Sequence, residues 1–144
     1  MPRIRTGAWL AGAVLLLVSA GAQAARVGVS GGWIRWLPGN GPLAGYFQVE
    51  NRGNVPLKLV GASGVDFTRI QLHRSIETNG MERMIHLHSI TIPAGATVRF
   101  KPGGYHLMLW RRHDLKIGQK VEISLHFSGG GDVRARFRVR APTG

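Results

Sequence analysis

The sequence predicts an all-β domain, either a sandwich or a Greek-key barrel. Apolar residues after position 25 come in short runs, Gly-, Pro- and Asn-rich turns separate these runs, and no stretch in this part of the chain keeps a helical period. The chain has 144 residues and is 44% hydrophobic, which is enough for one domain with a real core. It contains no internal repeat, linker or low-complexity segment, so we predict a single compact domain after the N-terminal segment.

Eight runs are the predicted strands, and Trp33 to Pro38 is the expected opening strand. Its indoles are expected to pack on the domain, with a partner-binding patch as the alternative. The run from Val121 to Phe127 alternates apolar and polar residues, as a strand with one buried face does. Turn-forming residues such as those at 101–104 and 128–131 separate the runs. The eight runs are residues 43–50, 57–60, 67–72, 81–87, 97–101, 105–110, 121–127 and 133–139.

Residues 1–24 have the layout of a secretory signal peptide. Arg3 and Arg5 precede an apolar run from Ala8 to Ala20, and Ala22-Gln23-Ala24 matches the small-x-small cleavage pattern. An uncleaved membrane anchor is the alternative, but the apolar run is shorter than the roughly 18 residues that a membrane span needs. We therefore predict cleavage after Ala24, a periplasmic protein and a mature domain of residues 25–144. No Cys lies at the cleavage site, which excludes lipid attachment there.

The chain is strongly basic, with 19 Lys and Arg against 7 Asp and Glu. Export argues against nucleic acid as the partner, so this charge is expected to meet an acidic protein or anionic lipid headgroups, or to serve solubility alone. The last predicted strand alternates Arg134, Arg136, Arg138 and Arg140 with apolar residues, which puts four guanidinium groups on one face. That face is either a docking stripe for a carboxylate-rich partner or a solvated face that discourages aggregation.

The chemistry of the chain is limited by the absence of Cys, which excludes disulfides, thiolate zinc sites, iron–sulfur clusters and Cys nucleophiles. The sharpest local feature is His106-Leu107-Met108, because residues two apart in a strand project to the same face. Ten residues separate His73 from Met84, and 21 separate Met84 from His106. Imidazole and thioether donors without a thiolate suit Cu(I), and uncharged ligands favour an exchangeable site near the surface. The alternative is a core Met beside a surface His.

With this spacing the chain resembles the periplasmic copper chaperones of the PCu(A)C family, whose motif is His, ten residues, Met, twenty-one residues, His-x-Met. The phrases from Ile92 to Gly95 and from Lys101 to Leu109 also resemble the family, and the resemblance covers about residues 32–127. One departure is visible, since many members carry Met two residues after the first His and this chain has Ser75 there.

The resemblance implies a cupredoxin-like Greek-key β-sandwich or barrel that binds one Cu(I) per chain. The implied ligands are His73, Met84, His106 and Met108. It also implies delivery of copper for the assembly of cytochrome c oxidase, with a copper acceptor, such as a Sco-type protein, as the partner.

The other histidines are weaker candidates. His86 and His88 alternate around Leu87 and are a candidate for a second, weaker copper site, with an exposed polar strand face as the alternative. His113 and His126 are not predicted to be ligands. We find no Ser/His/Asp phrase, no pair of carboxylates at informative spacing and no acidic residue that flanks a His in a convincing way, so we predict that the protein is not an enzyme.

The competing function is a non-enzymatic β-sandwich module that binds an anionic partner through the Arg-rich last strand. In either case we expect a monomer that binds no nucleic acid and makes at most peripheral contact with anionic surfaces.

Overall fold

The computed structural model describes residues 26–129 and 131–142, and it confirms the all-β prediction. The predicted signal peptide and its cleavage site lie outside the described residues. Within residues 26–129 and 131–142, no helix is long and apolar enough to cross a membrane. The ten strands are β1 (Val27–Arg35), β2 (Leu43–Asn51), β3 (Leu57–Ser63), β4 (Phe67–Thr78), β5 (Met81–Leu87), β6 (Ile90–Ile92), β7 (Thr97–Phe100), β8 (Tyr105–Arg111), β9 (Lys120–Phe127) and β10 (Gly131–Arg140).

The strands form one sheet in the order β5-β4-β8-β2-β1-β10-β9-β3-β6, and β7 pairs with β2 beside β8. All pairs are antiparallel except β1 with β10, which run parallel. The sheet folds back on itself, because β3 contacts β4 and β2 contacts β6 although these strands are not hydrogen-bonded neighbours. Its inner face encloses one apolar core.

Aromatic and branched side chains fill this core, and β10 shows how the alternation of the sequence positions them. Phe137 and Val139 are 0% and 1% exposed, whereas the four arginines that alternate with them are exposed, as predicted. The Phe137 ring meets Phe47 edge-on at 5.6 Å between centroids, and Phe47 also packs against Phe100 at 4.2 Å. The core therefore leaves the outer face of the sheet to polar and charged residues.

Three strands differ most from the prediction. The strand predicted over 67–72 continues to Thr78, because residues 72–78 pair with β5 and the pairing with β8 runs on to Arg74. Ile90–Ile92 was not predicted as a strand, since three residues are too few to show a period. The opening strand begins earlier than expected and ends before Trp36, whose Nε1 donates to the carbonyl oxygen of Leu115 at 3.1 Å.

Candidate metal centre

Register places three imidazoles in one row on the outer face of the sheet. His73 on β4 is the partner of His106 on β8 and of His86 on β5. Partners directly across neighbouring strands project to the same face. The ring centroid of His73 lies 5.7 Å from that of His106 and 5.4 Å from that of His86. The row forms because β4 is longer than predicted. His73 lies just beyond residue 72, where the predicted strand ended.

The two predicted thioethers lie on the same face, one step along each strand. Met108 follows His106 by two residues on β8, and Met84 is paired with Ser75, two residues after His73. Met84, His106 and Met108 line a common cavity of about 200 Å³. The four predicted ligands therefore lie on one face of three neighbouring strands, with Met84 level with Ser75 and Met108 level with Gln71 on either side of the imidazole row.

The hydrogen bonds of the two buried imidazoles fix which ring nitrogen is free. Nε2 of His73 donates to Oε1 of Gln71 at 3.0 Å, and Nδ1 of His106 donates to the carbonyl oxygen of Gly104 at 3.3 Å. Because each partner is an oxygen that only accepts, each ring keeps its lone pair on the other nitrogen. Nδ1 of His73 and Nε2 of His106 are both buried and have no hydrogen-bond partner. Each is thus an available ligand atom, as second-shell orientation of a metal-binding His requires.

Gln71 was missed by the sequence reasoning, although a signal for it exists. It lies two residues before His73 in the same strand and therefore on the same face. Polar residues flanking a ligand-type His at this spacing are candidates for orienting its ring.

Electrostatics keep both imidazoles uncharged at neutral pH. Burial lowers the pKa of His73, and charge repulsion from the neighbouring His106, His86 and Arg69 lowers it further. Burial also lowers the pKa of His106, an effect that its bond to Gly104 and the nearby Glu82 carboxylate oppose. Lowered pKa values reduce competition from protons for a soft metal ion, because only the neutral imidazole has a free lone pair.

The four side chains differ in exposure in a way that suits an exchangeable ion. His73 and His106 are 9% and 3% exposed, Met108 is half-buried, and Met84 is 55% exposed. The imidazoles therefore form the buried side of the site and one thioether faces solvent. Trp110 lies on the same side, as its spacing from Met108 predicts, with its ring centroid 6.5 Å from that of His73.

Ser75 occupies the position at which many PCu(A)C members carry an additional Met. Its side chain is buried in the cavity directly opposite Met84. The hydroxyl group supplies no soft donor, so the thioethers on this face are those of Met84 and Met108. The nearby Met81 is 70% exposed and is paired with Thr78, which puts it on the other face of β5.

His86 and His88 form a looser pair at the edge of this face. Their ring centroids are 5.2 Å apart, and His88 lies beyond the end of β5. No set of three His, Cys, Asp or Glu side chains is arranged to hold a metal ion in the part of the chain that the structure describes. A second copper site here would therefore have two imidazole ligands, and it stays a prediction.

Two histidines outside the imidazole row pair with carboxylates, which the sequence did not predict. His113 Nε2 lies 2.9 Å from an oxygen of Asp66, and His126 Nδ1 lies 2.9 Å from an oxygen of Asp132. A hydrogen bond to the Asp114 carbonyl and the pairing with Asp66 raise the pKa of His113. His113 and Asp66 are 47 residues apart, whereas His126 and Asp132 face each other across the β9–β10 hairpin, so neither pair consists of sequence neighbours.

Ser63 extends one of these pairs, since its hydroxyl group lies 2.8 Å from Nε2 of His126. Ser63, His126 and Asp132 thus form a hydrogen-bonded chain of the kind found in acyl-transfer enzymes. In those enzymes the carboxylate is buried behind the imidazole. Here the Asp132 side chain is 60% exposed. The chain of hydrogen bonds is therefore a surface contact between β3, β9 and β10 rather than a basis for assigning catalysis.

Solved structures with the same fold contain copper. The chain is similar to the copper-bound PCuAC domain from PmoF2, with a TM-score of 0.68 and 25% identity over 81% of this chain and 94% of that one. It is also similar to the solution structure of CuI-DR1885 from Deinococcus radiodurans, with a TM-score of 0.66 and 32% identity over 84% of this chain and 83% of that one. The resemblance noted from the motif is confirmed, and a copper-binding role in the PCuAC manner is supported.

Curated relatives carry less informative names. A "Putative lipoprotein" of Leifsonia xyli subsp. xyli is 38% identical over 112 residues, covering 76% of this chain and 67% of the relative. An uncharacterized protein of Rickettsia prowazekii is 31% identical over 84 residues, covering 57% of this chain and 46% of the relative. The lipoprotein name fits an exported protein, although the 144 residues contain no Cys to carry a lipid.

The family comparison covers nearly all of the described domain. The profile of the family described as "Putative lipoprotein LpqE-like" matches residues 27–139, which include every strand but the last residue of β10. Taken with the PCuAC-type solved structures, this match means that the chain belongs to the LpqE-like family and carries a PCuAC-type β domain.

Proposed function

We propose that this protein is an exported copper carrier that binds one Cu(I) and passes it to a protein acceptor. The single observation that carries the proposal is the pair of buried, unpartnered nitrogens, His73 Nδ1 and His106 Nε2, on the same sheet face as the thioethers of Met84 and Met108. Leaving a buried polar atom unpaired costs about 1–3 kcal/mol, so a bound ion that accepts both lone pairs offsets a cost built into the fold.

The donor set favours Cu(I) over other ions. All four donors are uncharged, and the two thioethers are soft, which suits Cu(I). Magnesium and calcium prefer oxygen donors, and zinc, although it binds imidazole, is a poor partner for thioethers. The His73 and Met84 positions lie on adjacent strands, so the ligands are held by the sheet and need little rearrangement when the ion enters. Copper can leave the site at Met84, because this ligand is exposed and an acceptor protein can displace it first.

On the strength of the family resemblance, we propose that the copper is destined for cytochrome c oxidase. The protein would reach the periplasm after cleavage at Ala24, and it would pass copper through a Sco-type protein to the copper centres of the oxidase. A weaker second copper site at His86 and His88 is a further part of the proposal, with Cu(II) as its ion.

X-ray absorption of the anaerobically loaded protein tests the ligand set. The wild type is expected to show two sulfur and two nitrogen scatterers around copper, with one sulfur lost in Met84→Ala and one nitrogen lost in His73→Ala. Met81→Ala is the matched control, since Met81 is on the same strand but faces away, and it should leave the spectrum unchanged. Loss of sulfur in Met81→Ala, or none in Met84→Ala, would overturn the assignment.

The destination is tested in cells of the source organism. Deleting the gene should lower cytochrome c oxidase activity under copper limitation, and the wild-type gene should restore it. A gene carrying His106→Ala/Met108→Ala should not restore activity although the protein is exported in equal amount. Full oxidase activity in the deletion strain would contradict the proposed destination and leave the copper site itself untouched.

A further inference from the structure

We propose that the arginines beside the metal centre form the docking surface for a carboxylate-rich segment of the protein that receives copper. This inference rests on the proposed carrier function and names the chemistry of the partner. The residues concerned are Arg35 on β1 and Arg138 and Arg140 on β10, which we call the basic row.

Register makes the basic row continuous with the metal centre. Arg138 is the partner of Trp33, and Trp33 is the partner of Tyr46. The Tyr46 ring in turn lies 6.4 Å from the ring of His106 between centroids. A neighbouring row runs from Arg140 through Arg35 and Ala44 to Met108. The stripe on the last strand and the metal centre, separate in the sequence, are therefore parts of one face.

The basic row has no counterion of its own. In the described part of the chain, no carboxylate forms a salt bridge with Arg35, Arg138 or Arg140, whereas Arg134 reaches Glu122 at 3.9 Å. Arg35 and Arg140 are direct register partners, and like charges in that position repel each other. A carboxylate-rich partner would relieve this repulsion, which is the electrostatic complementarity expected of a docking face.

An aromatic platform holds the guanidinium groups in place. Trp33 and Tyr46 pack with centroids 4.7 Å apart, and Arg35 lies 5.5 Å from the Tyr46 ring. Arg140 lies 5.6 Å from the Trp33 ring. Arginines resting on aromatic faces lose less freedom when they bind a carboxylate, which favours specific docking over diffuse attraction.

The charges across the face also orient the partner. Arg35 lines the same cavity as Met84 and Met108, so it stands at one wall of the metal centre. On the other side, Glu77 and Glu82 face each other across β4 and β5. A partner with carboxylates toward β1 and β10 avoids these two acids. Its own copper ligands would then lie over the exposed thioether of Met84.

The test uses Cu(I) transfer to three dye-labelled peptides that share one Met-x-x-Met acceptor core and differ only in flanks of Glu, Gln or Lys. At low salt the Glu peptide should accept copper at least about tenfold faster than the Gln peptide, and salt near 500 mM should remove this advantage. Arg138→Gln/Arg140→Gln should reduce the advantage to about threefold or less. Lys58→Gln/Arg134→Gln removes the same amount of charge outside the basic row and should keep the advantage of the Glu peptide over the Gln peptide.

Equal transfer rates to the three peptides, or equal loss in the two double variants, would overturn the proposal and leave Cu(I) binding intact. A second arm works without copper. Resonances of Trp33 and Tyr46 in the apo protein should shift on titration with the Glu peptide and not with the Lys peptide, which separates failure of docking from failure of the carrier function. Tighter binding to phosphatidylglycerol vesicles than to the Glu peptide, lost in Arg138→Gln/Arg140→Gln, would replace the protein partner by a lipid surface.

Discussion

Gln71 offers a sharp test of how the fold prepares its imidazole donors, because it contacts His73 and is not itself a predicted ligand. Its Oε1 accepts the hydrogen bond from His73 Nε2 at 3.0 Å, and this bond leaves the buried Nδ1 free. In Gln71→Ala the proton is free to move to Nδ1 and the ring is free to turn. Copper must then reverse the tautomer and reorient the ring before it binds.

The expected loss follows from the outer-shell role of Gln71. Removing a group that orients a metal-binding His lowers metal affinity about 10- to 100-fold, or roughly 1.4–2.7 kcal/mol. The apo protein should lose only about 0.5–1.5 kcal/mol of stability, the net value of one hydrogen bond. Gln71→Glu keeps an acceptor in the same place and should hold the affinity within a few-fold of wild type.

The assay is an anaerobic competition for Cu(I) against a coloured chelator, with Gln48→Ala as the control. Gln48 also lies on the outer face, on β2, and makes no hydrogen bond to a His. Nitrogen NMR should in addition show the Nε2–H tautomer of His73 in the wild type and a mixture in Gln71→Ala. An affinity within about twofold of wild type in Gln71→Ala, with an unchanged tautomer, would refute the argument.

Three other outcomes are expected. Met108→Ala should weaken Cu(I) binding at least about tenfold. Because Met108 is half-buried, the Tm of the apo protein should fall by less than about 4 °C. A Tm loss as large as that of a core variant would instead mark Met108 as a core residue. Phe137→Ala, which empties a fully buried position, should lower the free energy of unfolding by about 3–5 kcal/mol in urea titration, and a loss under 1 kcal/mol would contradict the packing. The apo protein should lose stability as pH falls below 6.5. His73 and His106 have lowered pKa values in the folded state, so these two residues bind protons more readily in the unfolded chain. His73→Gln/His106→Gln should flatten the dependence of the unfolding free energy on pH between about pH 7.5 and 5.5.

The prediction agreed with the structure where the residues of a single strand show a clear pattern. Residues 81–87 were predicted with the observed bounds, and the alternation in β10 was enough to assign Phe137 to the core. The strand predicted over 67–72 stopped short because His73, Arg74 and Ser75 break the apolar run. Hydrogen bonding to β5 and β8 on both sides, which no local pattern encodes, extends that strand through them.

The candidate ligand set was implied by the family resemblance that the His and Met spacing carries, but its surroundings depend on register. The side-by-side position of His106 and Met108 follows from the two-residue period alone. The stacking of His86 on His73, the place of Glu82 at the cavity and the alignment of Arg138 with Trp33 each require knowing which strands are neighbours. Sheet order is set by the whole core, so these features become visible only in the folded structure.

The most direct test of the central claim is an anaerobic Cu(I) titration of residues 25–144 against a coloured chelator, with His106→Ala/Met108→Ala measured beside it. The account predicts one equivalent bound tightly by the wild type and lost in the double variant, with both apo proteins folded. Failure of the wild type to compete for copper, or equal binding by the two proteins, would contradict it.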